Sequence, residues 1–162
     1  MCIVSMVPES IARLKKEGHE FLVETGAGAE SNFTDQQYSE VAEPYSREEV
    51  LKRSDILVTI QIPSTEDLKH IKKDAWLITN TEMFVNATVL ELFAPYTFRV
   101  LSMDEIPRTS IAQSMDVLSS MASLAGYRAV MLAATHFTRY FPMMITAAGS
   151  IKPAKVLVIG AG

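Results

Sequence analysis

Arg108, Gln113, Asp116 and Ser119 are the residues whose types and spacing best suit chemistry in this chain; they lie in the run RTSIAQSMDVLSS, residues 108–120. Gln113, Asp116 and Ser119 are each three residues apart. On a helix they would share one face near its N-terminal end, with Arg108 on the preceding loop. A guanidinium, an amide, a carboxylate and a hydroxyl gathered there could hydrogen-bond a carboxamide or a phosphate, and the helix N-terminus would add N–H donors. The same residues also read as a plain helix start. Ser110 and Gln113 then form a capping box, Asp116 favours the positive end of the helix dipole, and Arg108 pairs with Asp116. Periodicity leaves both readings open.

Two glycine clusters invite a nucleotide reading. Gly160-Ala161-Gly162 follows the apolar run KVLVIG. In a dinucleotide-binding turn the first glycine makes the tight turn and the second lets the backbone approach a pyrophosphate; the third glycine of that fingerprint has no counterpart here. Gly26-Ala27-Gly28 follows another apolar run, but Ser31 takes the third-glycine position and Glu30 sits where phosphate would approach. A carboxylate there repels an anion, so this cluster reads as a strand-to-loop turn. His19, His70 and His136 are far apart with no acidic or cysteine companion at ligand spacing, so neither a metal site nor a catalytic triad is indicated.

These groups must be positioned by regular elements, and the pattern of elements is α/β. The runs at 19–24, 55–62, 75–80, 98–103 and 155–160 are nearly continuous apolar, β-rich stretches, which suits strands covered on both faces, and helical segments lie between them. Pro8 marks a helix first turn; Thr34 with Gln37, Ser46 with Glu49 and Ser110 with Gln113 have capping-box spacing. No proline occurs between Pro107 and Pro142, and Ala, Leu, Met, Gln and Arg dominate there, which predicts one long helix over residues 112–137. Pro142, Gly149 and Pro153 then break the pattern, marking a junction between two domains. Residues 1–7 leave little room for an opening strand, and the chain ends on VIGAG where a helix is due, so the sequence reads as a fragment of something larger.

Composition narrows the classes. The 162 residues are 48% hydrophobic and 21% charged, with a net charge of −4, which suits a folded core and excludes a disordered or low-complexity chain. A pI of about 5.4 gives no basic footprint for a nucleic acid. The lone Cys2 and the lack of a leader pattern predict a reducing, intracellular compartment. The most apolar long stretch, residues 117–134, carries Ser119, Ser120, Ser123, Gly126 and Arg128, so no segment is expected to cross a membrane.

Taken together, RTSIAQSMDVLSSMASLAGYRAV (108–130), FPMMITAAGSIKPAKVLVIGAG (141–162), PESIARLKKEGHEFLVETGAG (8–28) and the DILVTIQIP segment (55–63) resemble the α subunit of the proton-translocating NAD(P) transhydrogenase, whose soluble NAD(H)-binding domain is similar to alanine dehydrogenase. The resemblance implies an incomplete flavodoxin-like or Rossmann-like parallel-sheet domain lacking its first strand (1–107), a nicotinamide-contact loop and long linking helix (108–139), and the start of a truncated Rossmann NAD-binding domain with its first strand (140–162). It implies direct hydride transfer from NADH to NADP, coupled to proton translocation elsewhere in the enzyme. Arg108, Gln113 and Asp116 would take catalytic roles; with Thr109, Ser110, Ile111, Ser119, Gly160 and Gly162 they would bind the cofactor. NAD(H) would sit on this component and NADP(H) on a partner domain. The partners would be a second copy in a homodimer and the NADP-binding and membrane-spanning parts, with the chain peripheral on the cytoplasmic face of the bacterial inner membrane, or the matrix side in a eukaryote. The 162 residues alone are expected to be inactive.

The family often carries arginine where this chain has Ile111, and its opening strand, with the arginine after it, has no counterpart before Met6. Alanine dehydrogenase is the near alternative. Its acid/base work uses an arginine near the start, a lysine on the third strand and a histidine ending the fourth; the lysine and histidine positions are Thr59 and Asn80 here. A non-catalytic assembly module is the other alternative.

Overall fold

The computed structural model describes residues 3–83 and 86–160 and divides the chain into two compact units, one up to Ile106 and one from Pro107. In the first unit, helices and strands alternate: α1 (Pro8–Lys15), β1 (Leu22–Glu24), α2 (Asp35–Ser39), β2 (Glu43–Tyr45), α3 (Arg47–Arg53), β3 (Ile56–Val58), α4 (Thr65–Leu68), β4 (Trp76–Thr79), α5 (Thr88–Phe93) and β5 (Arg99–Ser102). All pairings are parallel. β1 pairs with β2, and β4 lies between β3 and β5.

Capping chemistry sets the helix starts. Thr34 and Ser46 cap α2 and α3 in full capping boxes with Gln37 and Glu49, as their spacing predicts, and Ser64 with Asp67 does the same for α4. Pro8 opens α1, where a missing N–H costs nothing. The strands are shorter than the apolar runs that announce them, because the flanking residues leave the ladder for turns. β2 has no such run and contains Pro44, which an edge strand tolerates.

Leu77 on the central strand is fully buried and packs with Leu57, Val50, Leu51, Leu68, Ile71 and Ala75; Leu22 and Tyr45 of the two-stranded sheet pack against the same cluster. A second cluster of Ile11, Tyr38 and Ala42 holds α1 and α2. Thr81 and Ser102, both buried, share a hydroxyl–hydroxyl contact; Ser102 also donates to Asp104, whose carboxylate accepts the Thr81 N–H at 2.9 Å and the Glu82 N–H at 2.6 Å. Burial pushes the Asp104 carboxyl up, but these donors outweigh it and hold it below its ordinary range.

The second unit contains a short 3₁₀ turn (Ala112–Met115), α6 (Val117–His136) and a hairpin of β6 (Met144–Thr146) and β7 (Gly149–Ile151). Two expectations, the start of the long helix and the strand at 155–160, are corrected here. The long helix begins at Val117, not at residue 112, because Asp116 leaves helical geometry (φ −76°, ψ 92°) to cap it. It then runs unbroken through Gly126 to His136. The proline- and glycine-rich break after it contains the antiparallel hairpin, with Gly149 at φ +128° opening β7. Residues 155–160 form no strand: no ladder partner exists among the described residues, and Leu157 and Ile159 are 84% and 92% exposed. A β-prone run becomes a strand only when another strand accepts its hydrogen bonds. By length and composition, α6 is also apolar enough to cross a membrane, despite its serines and Arg128.

Candidate functional site

The polar loop at 108–116 is built by a succession of tight turns. Thr109 N–H donates to the Pro107 carbonyl at 2.8 Å, Ala112 N–H donates to Thr109 Oγ1 at 3.4 Å, and Asp116 N–H closes the 3₁₀ turn on the Gln113 carbonyl at 3.3 Å. Thr109 therefore supports the turn. Ser110 does not form the expected capping box with Gln113, since Ile111 precedes the turn and makes no side-chain cap.

Asp116 starts the helix. Its Oδ1 accepts the Ser119 N–H at 2.9 Å, its Oδ2 accepts the Ser119 hydroxyl at 2.6 Å, and its carbonyl accepts from the Ser120 hydroxyl at 3.0 Å. The Ser119 hydroxyl, then its N–H, with a smaller contribution from the positive charge of Arg108, hold the Asp116 carboxyl below its ordinary range. Arg108 makes no ion pair with Asp116 among the described residues.

The single face of Gln113, Asp116 and Ser119 is also corrected. Gln113 sits in the 3₁₀ turn, Asp116 on the non-helical cap and Ser119 inside the first turn of α6. Asp116 and Ser119 satisfy one another. Arg108, Ser110 and Gln113 are exposed, and their side chains have no hydrogen-bond partner among the described residues. Ile111 projects at the tip, 91% exposed. A guanidinium, a hydroxyl and an amide within the loop of residues 108–113 are of the types that supply the donors and the acceptor a carboxamide requires.

Gly160 has φ +87°, a left-handed conformation that favours glycine. Gly162, with Ala161, lies outside the described residues.

In the first unit, Thr59 and Asn80 follow β3 and β4, where Thr59 N–H donates to Ile78 O at 2.9 Å and Asn80 N–H to Ile60 O at 3.4 Å. Neither side chain titrates. Sequence reasoning missed Arg47, whose guanidinium forks between Glu24 Oε2 and Asp67 Oδ2, each at 2.9 Å. The hydrogen bonds from Arg47 and then from Ser64 lower the Asp67 carboxyl strongly. More than twenty residues separate Arg47 from Glu24, so no local spacing announces the pair. His70 Nε2 lies 3.9 Å from Glu66, an acidic companion that spacing did not single out, and no group of three metal-ligating residues occurs among the described residues.

The chain has relatives. The family described as alanine dehydrogenase/PNT matches it with its N-terminal domain over residues 3–125 and its C-terminal domain over residues 129–162. An NAD(P) transhydrogenase subunit alpha from Cereibacter sphaeroides is 41% identical over 161 residues, covering 98% of this chain and 31% of the relative. A solved transhydrogenase structure from Sinorhizobium meliloti superposes with a TM-score of 0.91 at 36% identity, covering 98% of this chain and 48% of that one. An L-alanine dehydrogenase structure shares the fold, with a TM-score of 0.59 at 22% identity over 63% of this chain and 28% of that one. The chain thus spans about a third of the curated relative it matches.

Proposed function

We propose, from the premise that the chain belongs to the alanine dehydrogenase/PNT family, that it is part of the NAD(H)-binding component of a transhydrogenase. In this reading hydride passes directly between NADH and NADP, and proton translocation is coupled to that step in membrane-spanning partner parts. The observation that carries it is the 41% identity, over nearly the whole chain, to a protein named as a transhydrogenase alpha subunit.

The cofactor supplies the hydride chemistry when bound; the chain supplies orientation. Arg108, Ser110 and Gln113, exposed in the loop ahead of α6, orient the carboxamide of the nicotinamide end. Asp116, Ser119 and Thr109 hold that turn in place, and Ile111 stands at its tip toward the NADP-binding partner. Hydride transfer needs two rings in near-attack geometry and no protein acid or base. Thr59 and Asn80, which titrate no proton, fit that requirement better than an amino-acid dehydrogenase, which must move a proton with its hydride. Gly160 and Gly162 belong to the turn that approaches the pyrophosphate. The component is a homodimer, peripheral on the cytoplasmic face of the bacterial inner membrane or the matrix side in a eukaryote, with α6 a linking helix within it.

The test uses the complete subunit assembled with its NADP-binding partner. Arg108→Ala and Gln113→Ala should each lower the hydride-transfer rate at saturating NADH while the circular dichroism is retained. Unchanged turnover in both would overturn the assignment of the loop. Failure of the complete subunit to bind NADH would overturn the reading as a whole.

A further inference from the structure

The carboxylate of Asp104 gathers donors from two separate strand ends. Its Oδ1 accepts the Thr81 N–H at 2.9 Å and the Ser102 hydroxyl, and its Oδ2 accepts the Glu82 N–H at 2.6 Å. Thr81 and Glu82 follow β4, which ends at Thr79, whereas Ser102 ends β5. Two consecutive N–H groups aimed at one carboxylate make a backbone nest, and Glu82 completes it in the left-handed conformation, φ +54°. That conformation is costly for a glutamate and persists only where the surroundings hold it. Counting protons orders the hydroxyls. An ionised carboxylate only accepts, so the Ser102 proton goes to Asp104 and the Thr81 proton makes the contact with Ser102. Thr81 and Ser102 are both buried, and hydrogen bonds that end on a charge are strongest where water is excluded.

This clamp lies at the carboxyl ends of β4 and β5, the side of an open α/β sheet on which ligands bind. It also lies at the root of the polar loop. Asp104 is the middle residue of a 3₁₀ turn, Met103–Glu105, and Arg108 is four residues on. Little in between can absorb a displacement. Ile106 is extended (φ −63°, ψ 125°), the conformation that a following proline demands, and the Pro107 ring fixes its own φ. The Pro107 carbonyl is then held by the Thr109 N–H at 2.8 Å. Stability alone does not call for such a clamp, since apolar groups of the same shape hold a core as well as paired polar ones.

We infer, on the reading of residues 108–116 proposed above, that Asp104 is a positioning residue for hydride transfer, tying the root of that loop to the nest at Thr81 and Glu82. Asp116 holds the far end of the loop through Ser119, so a carboxylate that accepts backbone N–H groups stakes the loop at each end. Asp104 touches no reacting atom. It acts through Arg108, whose place on the chain follows from where the 3₁₀ turn is pinned. A reacting group misplaced by about 1 Å can lose about a hundredfold in rate, so a clamp of this kind shows in the chemical step before it shows in binding.

The test compares wild type, Asp104→Asn and Gly28→Ala in the complete subunit assembled with its NADP-binding partner. Asparagine keeps the shape of the side chain but turns an N–H toward one of the two backbone N–H groups. Hydrogen exchange at the Thr81 or the Glu82 amide should therefore quicken about tenfold, the worth of a hydrogen bond to a charge. The hydride-transfer rate at saturating NADH should fall about tenfold or more, while the NADH dissociation constant stays within about twofold of wild type. Gly28→Ala strains the same unit away from the clamp and should keep its rate. Loosened amides with an unchanged rate would make Asp104 a brace of the fold and overturn the proposal. So would amides indifferent to Asp104→Asn, a rate that falls only in proportion to NADH affinity, or an equal fall in Gly28→Ala. A wild-type subunit that binds no NADH would overturn the transhydrogenase reading and the proposal with it; each of the other failures is read with NADH bound, which tells the two apart.

Discussion

Asp116 and Ser119 are joined twice, by a backbone N–H at 2.9 Å and a hydroxyl at 2.6 Å, so the residue that ends the polar loop is also the residue that begins α6. Replacing Asp116 by alanine removes both acceptors. The start of α6 should fray, seen as a loss of helical ellipticity. In a completed subunit the hydride-transfer rate should fall more than NADH affinity, because the turn bearing Arg108 and Gln113 loses its anchor. Asp116→Asn retains a cap oxygen and should restore most of the helicity.

Gly28 and Gly126 should respond oppositely to alanine. A Cβ at Gly28 would lie 2.6 Å from Tyr38 Cε2 and 2.8 Å from the Phe33 carbonyl, so Gly28→Ala should destabilise by about 1–3 kcal/mol. A Cβ at Gly126 meets nothing within 4 Å on α6, so Gly126→Ala should stabilise that helix by up to about 1 kcal/mol. Urea denaturation of both variants checks the contrast.

Acid should loosen the first unit. The Asp104 and Asp67 carboxyls are held below their ordinary range, so folding favours their charged forms. Their contribution is present above the unfolded carboxylate pKa of about 3.9 and is lost as pH falls through the lower folded values. Denaturant midpoints should therefore drop more steeply below about pH 4 than in Asp104→Asn, which lacks one of the titrating groups.

Arg47 should tolerate lysine poorly for its exposure. The fork to Glu24 and Asp67 needs a planar guanidinium, and a lysine ammonium serves only one carboxylate well. Arg47→Lys should cost about 0.5–1 kcal/mol, within the range of exposed ion pairs, and the cost should shrink in high salt.

The sequence foretold those parts of the fold that local chemistry controls. Thr34 and Ser46 start helices because a hydroxyl three residues ahead of a glutamine or glutamate satisfies two orphan donors whatever lies beyond. Ser110 has the same spacing to Gln113 and fails, because the Thr109 hydroxyl already meets the Ala112 N–H and tightens the chain into a 3₁₀ turn. β2 and the hairpin of β6 and β7 escaped notice because three-residue strands carry too few side chains to show a period. Residues 155–160 show the converse: Val156 to Ile159 have the composition of a strand and no neighbour to pair with among the described residues. The loop residues were visible as a polar cluster, but their division into free donors and mutual anchors depends on φ and ψ at Asp116, which spacing does not encode.

The two regions matched by the family meet between residues 125 and 129, inside α6 rather than in a linker. A cut there would sever turns whose hydrogen bonds run continuously from Val117 to His136. Proteases that need an unfolded stretch should therefore spare this seam and nick the chain before Asp116 or after Phe137, and any recombinant dissection that respects the backbone has to follow those exits.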